Sequence, residues 1–560
     1  MMAGIDPLTL AVVRHKLVSV AEEMVDTLIR TSFSPILNIS HDLSAVILDG
    51  RCRLLSQAER VPIHMGAMPF AARAMAEAFQ DDIGPGDVLM ANDPYWGGNH
   101  LPDVTLARPV FRDGVLRLWV VNRAHHGDIG GLSAGGYSTG ATEIFHEGLR
   151  IPPIRIVADG RVHDDMLRLV TQNTRKPDDM MGDLRAQIAA IDVGVERMEA
   201  LFARYGAAMV SDCADAMLDG AEAAMSAQLV KWRDGVYEAT GILDDDGQGN
   251  TNIPVHAKIT LRHDRAVVDL TGSCDQLPSF VNSPYANTAA CVLAAFMYLA
   301  EDEPVPNEGC FRCIELVTRK GSICDPVAPA AVVGSSVVTA TAIMEAVLKA
   351  MAGAAPDAAI AGYARRFRFA IAGDDRDGRP YIWHYFSNRG GAGASRDQDG
   401  WSNIGVIHNP GAATSPSVER TEAQFPFFIE SLALRPDSCG AGERRGGLGG
   451  IYRLRYEGPG PATLNATGEG VVSGPYGVAG GGPGAPHDYR IRQGGEDGHE
   501  RPLGAKEAGL VLLPGDVLSC AAAGGGGFGD PRRRNSASLA RDLADGHVSP
   551  AAADDYGTPD

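Results

Sequence analysis

NDPYWGGNHLPDVTLARPVFRDGVLRLWVVNRAHH, residues 92–126, is the stretch around which the rest of the chain is read. Val104 to Phe111 and Val115 to Asn122 are rich in β-branched and aromatic side chains, and Arg112-Asp113-Gly114 separates them. Asp-Gly between two such runs is a strong hairpin signal. Folding the chain back there sets Asp103 opposite the segment from Arg123 to His125. Directly opposed residues on an antiparallel pair have Cβ atoms about 4.5–5.5 Å apart, close enough for a carboxylate and an imidazole to share one ion. His100 lies just before Asp103, beyond a Gly97-Gly98 turn, so the loop can swing it to the same point. Two imidazoles and a carboxylate on a rigid hairpin, with a coordination position to spare, form the arrangement that ionises a bound water near neutral pH. Hydrolysis, or polarisation of a carbonyl, is the chemistry expected.

Working outward, Asp6-Pro7 reads as a helix start, and Leu10, Val13, Leu17, Val20, Met24 and Leu28 continue it at helical spacing up to Ser34-Pro35. Asp49-Gly50 marks a second hairpin, with His41-Asp42 at its base. His64 opens a helical segment running to about Phe79. After the first hairpin comes AHHGDIGGLSAGGYSTG, residues 124–140, in which Asp128 is placed to orient His125 or His126 from behind. Two back-to-back GxSxG matches here, around Ser133 and Ser138, sit in glycine rather than between a strand and a helix, so they read as composition and not as a nucleophile elbow. IFHEGLRIPPIRI, residues 144–156, offers Glu147 as a general base or substrate contact, against the plainer reading of a solvated acid. Helix is expected from Asp178 to Tyr205 and on to about Leu229.

Strands begin at Asp234-Gly235, namely 236–242, 257–262 and 266–270, followed by helices over 287–300 and 336–354. The acidic turn after Ile242 lacks the twelfth-position acid of a calcium loop. From about Arg379 glycine dominates, and short strands between glycine turns imply an all-β region. The fold class is therefore α+β and multi-domain, with mixed and antiparallel sheets. Four segments are expected: a metal-site α+β domain (1–230), a β layer with helices (231–375), a glycine-rich β domain (376–530) and a C-terminal tail helix (531–560).

The composition narrows the partners. At 560 residues the chain has ample core for roughly two to four domains. A net charge of −20 repels phosphate backbones and anionic bilayers, which argues against nucleic-acid and membrane partners. The start has the reverse charge order of a signal peptide. Nine scattered cysteines suit reduced thiols in a cytoplasmic protein, with Cys310 and Cys313 a structural CxxC. There is no GxxxxGK[ST], and Gly524, Gly526 and Gly529 match GxGxxG with no helix to follow.

Six blocks in order, NDPYWGGNHLPDV, AHHGDIGG, IFHEGLRIPP, NTRKPDDMMGDLRAQIAA, PDSCGAGERRGGLGG and GGGGFGDP, resemble the hydantoinase B family. That family groups B subunits of ATP-dependent hydantoinases and 5-oxoprolinases with the alpha subunits of acetone-type carboxylases. The resemblance implies one divalent metal ion, zinc, manganese or iron, held by Asp42, His100, Asp103 and His125. Asp42, and the choice of His125 over His126, come from the resemblance alone. His126 and Glu147 are then the candidate catalytic residues. The resemblance also implies a partner A-type subunit of the actin-like ATPase class, in a hetero-oligomer, which uses ATP to phosphorylate the oxygen of a small cyclic amide. Water activated by the metal on the present chain then opens the ring. His146 and His487 depart from the expected pattern, and the chain length suits the hydantoinase type better than the carboxylase type. Ketone carboxylation, a scaffold subunit without chemistry and a serine hydrolase are the alternatives.

Overall fold

The structure, a computed structural model, describes residues 5–58, 61–301, 305–385, 387–408, 415–495 and 498–557. Its first sheet is built around the expected hairpin. Strands β1 (Leu43–Asp49), β2 (Leu54–Gln57), β3 (Val88–Ala91), β4 (Asp103–Arg112), β5 (Val115–His125), β6 (Ile154–Ala158) and β7 (Arg161–Val162) form seven strands in the order β2-β1-β5-β4-β3-β6-β7, every neighbour antiparallel. The two hairpins meet because β1 lies along β5, with Leu43 opposite Ala124. Sequence alone could not establish that pairing.

Helices cover both faces of this sheet. Helix Pro7–Thr31, capped by the Asp6 side chain at 3.0 Å from the Thr9 amide, buries the stripe Val13, Leu17, Val20, Met24 and Leu28 against helix Pro177–Tyr205 and β1. Helix Pro62–Phe79 lies on the opposite face, over Val46, Leu89, Trp119 and Val121. The long helix expected to reach Leu229 is in fact two, Pro177–Tyr205 and Ala207–Lys231. Gly206 breaks it with φ 79°, a left-handed backbone that glycine adopts without strain.

A second sheet follows, β8 (Gly235–Asp245), β9 (Thr251–Arg262), β10 (Arg265–Asp269) and β11 (Ile314–Val317), in the order β11-β10-β9-β8 with β10 and β11 parallel. The mixed sheet rests under helices Tyr285–Leu299 and Ala340–Ala354. The segment 335–354 is long and apolar enough to cross a bilayer by composition, but 83% of that window is buried in the fold. Its Glu345 is buried against Arg365, with Nε and Nη2 at 3.0 and 2.9 Å. The acidic turn satisfies itself, Asp246 Oδ1 accepting from the amides of Gln248 and Asn250. Cys310 and Cys313 are buried, and the Cys313 thiol points to the Cys310 carbonyl at 3.4 Å.

Two further antiparallel sheets, one of four strands and one of five, enclose an aromatic core from Phe367 to Cys520. Beside them the glycines do something other than turn. Gly524 to Gly527 lie outside the left-handed region and run extended between other glycine segments. Their amides bond sideways: Gly525 to Gly447 at 2.8 Å, Gly526 to Gly362 at 2.8 Å, Gly527 to Gly482 at 2.9 Å, while the Gly525 carbonyl accepts from Gly440 at 2.8 Å. These contacts fall outside the regular sheets. A Cβ on Gly525 would lie 1.7 Å from the Ala392 carbonyl oxygen, and one on Gly474 would lie 1.7 Å from that of Gly484. The expected turns between strands are here a lattice of touching backbones, because glycine alone permits that approach.

Candidate metal centre

The loop ahead of β4 is shaped by its own motif. Asn92 clamps it, donating Nδ2 to the carbonyls of Leu101 (2.7 Å) and Leu149 (2.9 Å) and accepting the Ile151 amide at 2.7 Å. Asp93 caps the short 3-10 turn Pro94–Trp96 and takes Arg150 at 2.8 Å. Gly97, φ 88°, turns the chain where a Cβ would strike the backbone of Phe70 and Ala71 at 2.5 Å. That turn delivers His100 to the base of the hairpin.

Asp103 stands directly opposite His125 in the ladder. Its Oδ1 lies 3.1 Å from His100 Nε2 and 3.1 Å from His125 Nδ1, and all three side chains are buried. On its other oxygen, Oδ2, stands His64 Nε2 at 3.3 Å, and the same nitrogen is 3.7 Å from Asp42 Oδ1. Asp42 is tied to the hairpin through its carbonyl, which accepts the His125 amide at 3.0 Å. Two carboxylates and three imidazoles thus meet at one place, with His100, Asp103 and His125 as the tightest group.

The protonation pattern fits cation ligands. A carbonyl only accepts, so His100 Nδ1, 3.2 Å from the Val333 carbonyl, carries a hydrogen and Nε2 is the nitrogen turned toward the cluster. Burial pushes His125 down to about 3 and lowers His64. Burial opposes charge on Asp103, yet His100, His64 and the contacts to His100 and His125 hold its carboxyl well below the usual range. Arg123, buried beside it and donating to Thr105 Oγ1 at 2.8 Å, adds positive charge. Imidazoles crowded on an ionised carboxylate, with His125 Nε2 and His64 Nδ1 also buried and without hydrogen-bond partners among the described residues, are a poor resting arrangement in a core and a good nest for a divalent ion.

The remaining expected residues lie around this cluster. Glu147 is buried with Oε1 accepting the amides of Val332 and Val333, both at 2.7 Å. Burial pushes its carboxyl well above the usual range, against those two bonds. It therefore braces the segment whose Val333 carbonyl orients His100. His126 turns to Gln187, donating Nε2–H to Oε1 at 3.0 Å, since Gln187 spends its amide hydrogens on Val104 and Asn122. It lines a different cavity, with Ile36, Met180, Asp183 and Trp383. Asp128 orients neither histidine: it accepts the amides of Gly130, Gly135 and Arg175 and an Arg175 Nη1 bond, pinning the glycine loop. His146 is partly exposed beside Thr142. His487 is a buried bridge that donates Nε2–H to the Arg365 carbonyl at 2.8 Å and accepts the Ala523 amide at 3.0 Å.

Four participants were not singled out from sequence. His64 arrives on a helix across the sheet, and its signal was no more than its place in the first turn after Pro62. Tyr137 stacks on His125 with centroids 5.8 Å apart. His384, 5.9 Å from His125, donates Nε2–H to the Gly127 carbonyl at 2.8 Å and accepts Arg368 at Nδ1. Arg368 lies over the Tyr137 ring, Cζ 3.8 Å from its centroid.

Fold and site together define an α+β chain with a buried imidazole–carboxylate cluster able to hold a metal ion. The chain belongs to the Hydantoinase B/oxoprolinase family, whose description matches residues 6–531. It is 36% identical over 558 residues to caprolactamase subunit beta of Pseudomonas jessenii, covering 98% of this chain and 95% of that one. The crystal structure of ATP-dependent caprolactamase from Pseudomonas jessenii has TM-score 0.92 at 34% identity, over 99% of this chain and 96% of that one. Nucleotide-free acetone carboxylase, TM-score 0.89 at 20% identity over 98% of this chain and 79% of that one, shares the fold. The resemblance carried by the six sequence blocks is borne out.

Proposed function

We propose that this chain is the ring-opening subunit of a two-component, ATP-dependent cyclic-amide hydrolase. Its partner is an A-type ATPase subunit that phosphorylates the amide oxygen, and its substrate is a lactam or a related ring such as a hydantoin. The observation that carries the reading is the convergence of His100, Asp103 and His125 at one buried point in a chain of this family. Likeness to caprolactamase subunit beta at 36% identity supports lactam hydrolysis. Likeness to acetone carboxylase at 20% identity speaks for the fold alone.

The residues that would hold the ion are His100, Asp103 and His125, with His64 and Asp42 alongside; zinc, manganese and iron all accept such mixed nitrogen and oxygen donors. When bound, the ion supplies Lewis acidity and lowers the pKa of water. The chain does the rest. Glu147 fixes the Val332–Val333 peptide, and the Val333 carbonyl fixes the tautomer and orientation of His100. Arg123 steadies the charge on Asp103, and Tyr137 with His384 walls His125 from solvent. An amide resists attack because resonance stabilises it, so activation by the partner and a dry, rigid site on this chain are complementary contributions.

The test is elemental analysis of the purified chain, wild type against His100→Ala with Asp103→Ala, followed by assay with the A-type subunit. About one ion per chain, absent from the double variant, and ATP-coupled opening of caprolactam, a hydantoin or 5-oxoproline are expected. ATP consumption requiring bicarbonate and a ketone would make the chain a carboxylase subunit. Absence of metal, together with indifference of the complex to ligand substitutions, would leave only a scaffold.

A further inference from the structure

The sheet containing strand Phe367–Asp374 brings a second charged region against the metal centre. Arg366 and Arg368 stand at the head of that strand on one side, while Phe367 and Phe369 enter the aromatic core. With Arg389 they line a small cavity of about 30 Å³. Arg365, on the same rim, is already answered by Glu345. Arg368 is shared between the cavity and the metal centre through its stacking on Tyr137 and its bond to His384.

Asp42, itself against His64, and Tyr137 act on Arg366 and Arg368. Burial, and then neighbouring Arg368, pulls Arg366 down to about 10. Among the described residues no carboxylate acts on Arg389 and its enclosed Nη2 has no hydrogen-bond partner, and burial pulls it down to about 10. A buried guanidinium is costly unless both its charge and its N–H groups are answered, and neighbouring guanidiniums repel. A bound oxyanion relieves both costs at Arg389, and planar guanidinium forks match phosphoryl oxygens in geometry.

We propose that Arg366, Arg368 and Arg389 form a phosphoryl-binding pocket beside the metal centre, which seats the phosphoryl group of an O-phosphorylated cyclic amide while the ring carbon faces His100, Asp103 and His125. The assignment rests on the reading of this chain as a ring-opening subunit. A dianion with three terminal oxygens uses three guanidiniums, whereas the carboxylate of a ring-opened product uses one or two.

The experiment is isothermal titration of the full chain with inorganic phosphate, and separately with acetate, at low ionic strength. Wild type binds phosphate at least tenfold more tightly than acetate. Arg389→Met, whose backbone bonds to Asn403 and Gly450 are untouched by the change, weakens phosphate at least tenfold, about 1.4 kcal/mol, with metal content unaltered. Arg389→Lys restores part of the loss. Arg366→Met, carried as the second variant, weakens phosphate likewise. Equal phosphate affinity in wild type and both Met variants, no binding at all, or acetate binding as tightly as phosphate overturns the pocket. If the complex opens lactams while phosphate ignores these arginines, the pocket falls and the ring-opening reading stands. If phosphate depends on them while no ring is opened, the pocket stands as an anion site and that reading falls.

Discussion

The β4–β5 hairpin and the glycine lattice are both held by lateral backbone hydrogen bonds, yet they specify position in opposite ways. In the hairpin, register decides everything: with Asp103 opposite His125, a slip of one strand by one residue would turn its side chain to the other face and part the pair. In the lattice no side chain is there to be turned, and what fixes Gly525 is that its neighbours leave room for nothing beyond hydrogen. One region gains its chemistry from what projects from the backbone. The other gains rigidity from having nothing project.

The largest effect that this contrast predicts is from a single methyl. Gly525→Ala places a Cβ at 1.7 Å from a carbonyl oxygen, so its cost exceeds the roughly 1–3 kcal/mol of ordinary overpacking, and soluble yield and melting temperature should collapse. A normal melt would break the lattice description. Asp103→Asn keeps shape and register but removes the charge shared by three imidazoles; the chain should fold normally, lose its metal and lose ring opening by about a hundredfold or more. Retained metal would show that the cluster is not the site.

Smaller changes sharpen the same comparison. His64→Ala removes the contact from across the sheet and should weaken metal affinity by about ten- to a hundredfold, measured by competition with a chelator; no change would leave the hairpin alone as the centre. Glu147→Gln still accepts the amides of Val332 and Val333 and mimics a neutral acid, so turnover should stay within about threefold of wild type. A loss near a hundredfold would support a general-base role for Glu147. Gly460→Ala, where a Cβ meets nothing within 4 Å, should shift stability by no more than about 0.5 kcal/mol, serving as the control for Gly525.

What could be read from sequence follows the same division. Asp103 and His125 were legible because an Asp-Gly turn sets register and the two-residue period sets facing. His100 was legible through the Gly97-Gly98 turn. His64, Tyr137, Arg368 and His384 were not, since they reach the cluster by helix packing, a long loop and a separate sheet, none of which leaves a local spacing. Glycine content said where the lattice would be but not what it was: a turn glycine and a packing glycine are the same letter, and only the neighbouring backbone tells them apart.

The Val333 carbonyl that orients His100 lies 233 residues further along the chain, and His384 reaches back across 257 residues to Gly127. During synthesis at about 5–20 residues per second, roughly ten to fifty seconds separate the ligands from the last of the groups that set their angles. For that interval the nascent chain carries imidazoles and carboxylates with no enforced geometry, open to whichever cation is most abundant. Any ion kept at this cluster would therefore be decided late, by the closing of the distant half of the chain, and an ion captured early would have to survive that closing or be expelled by it.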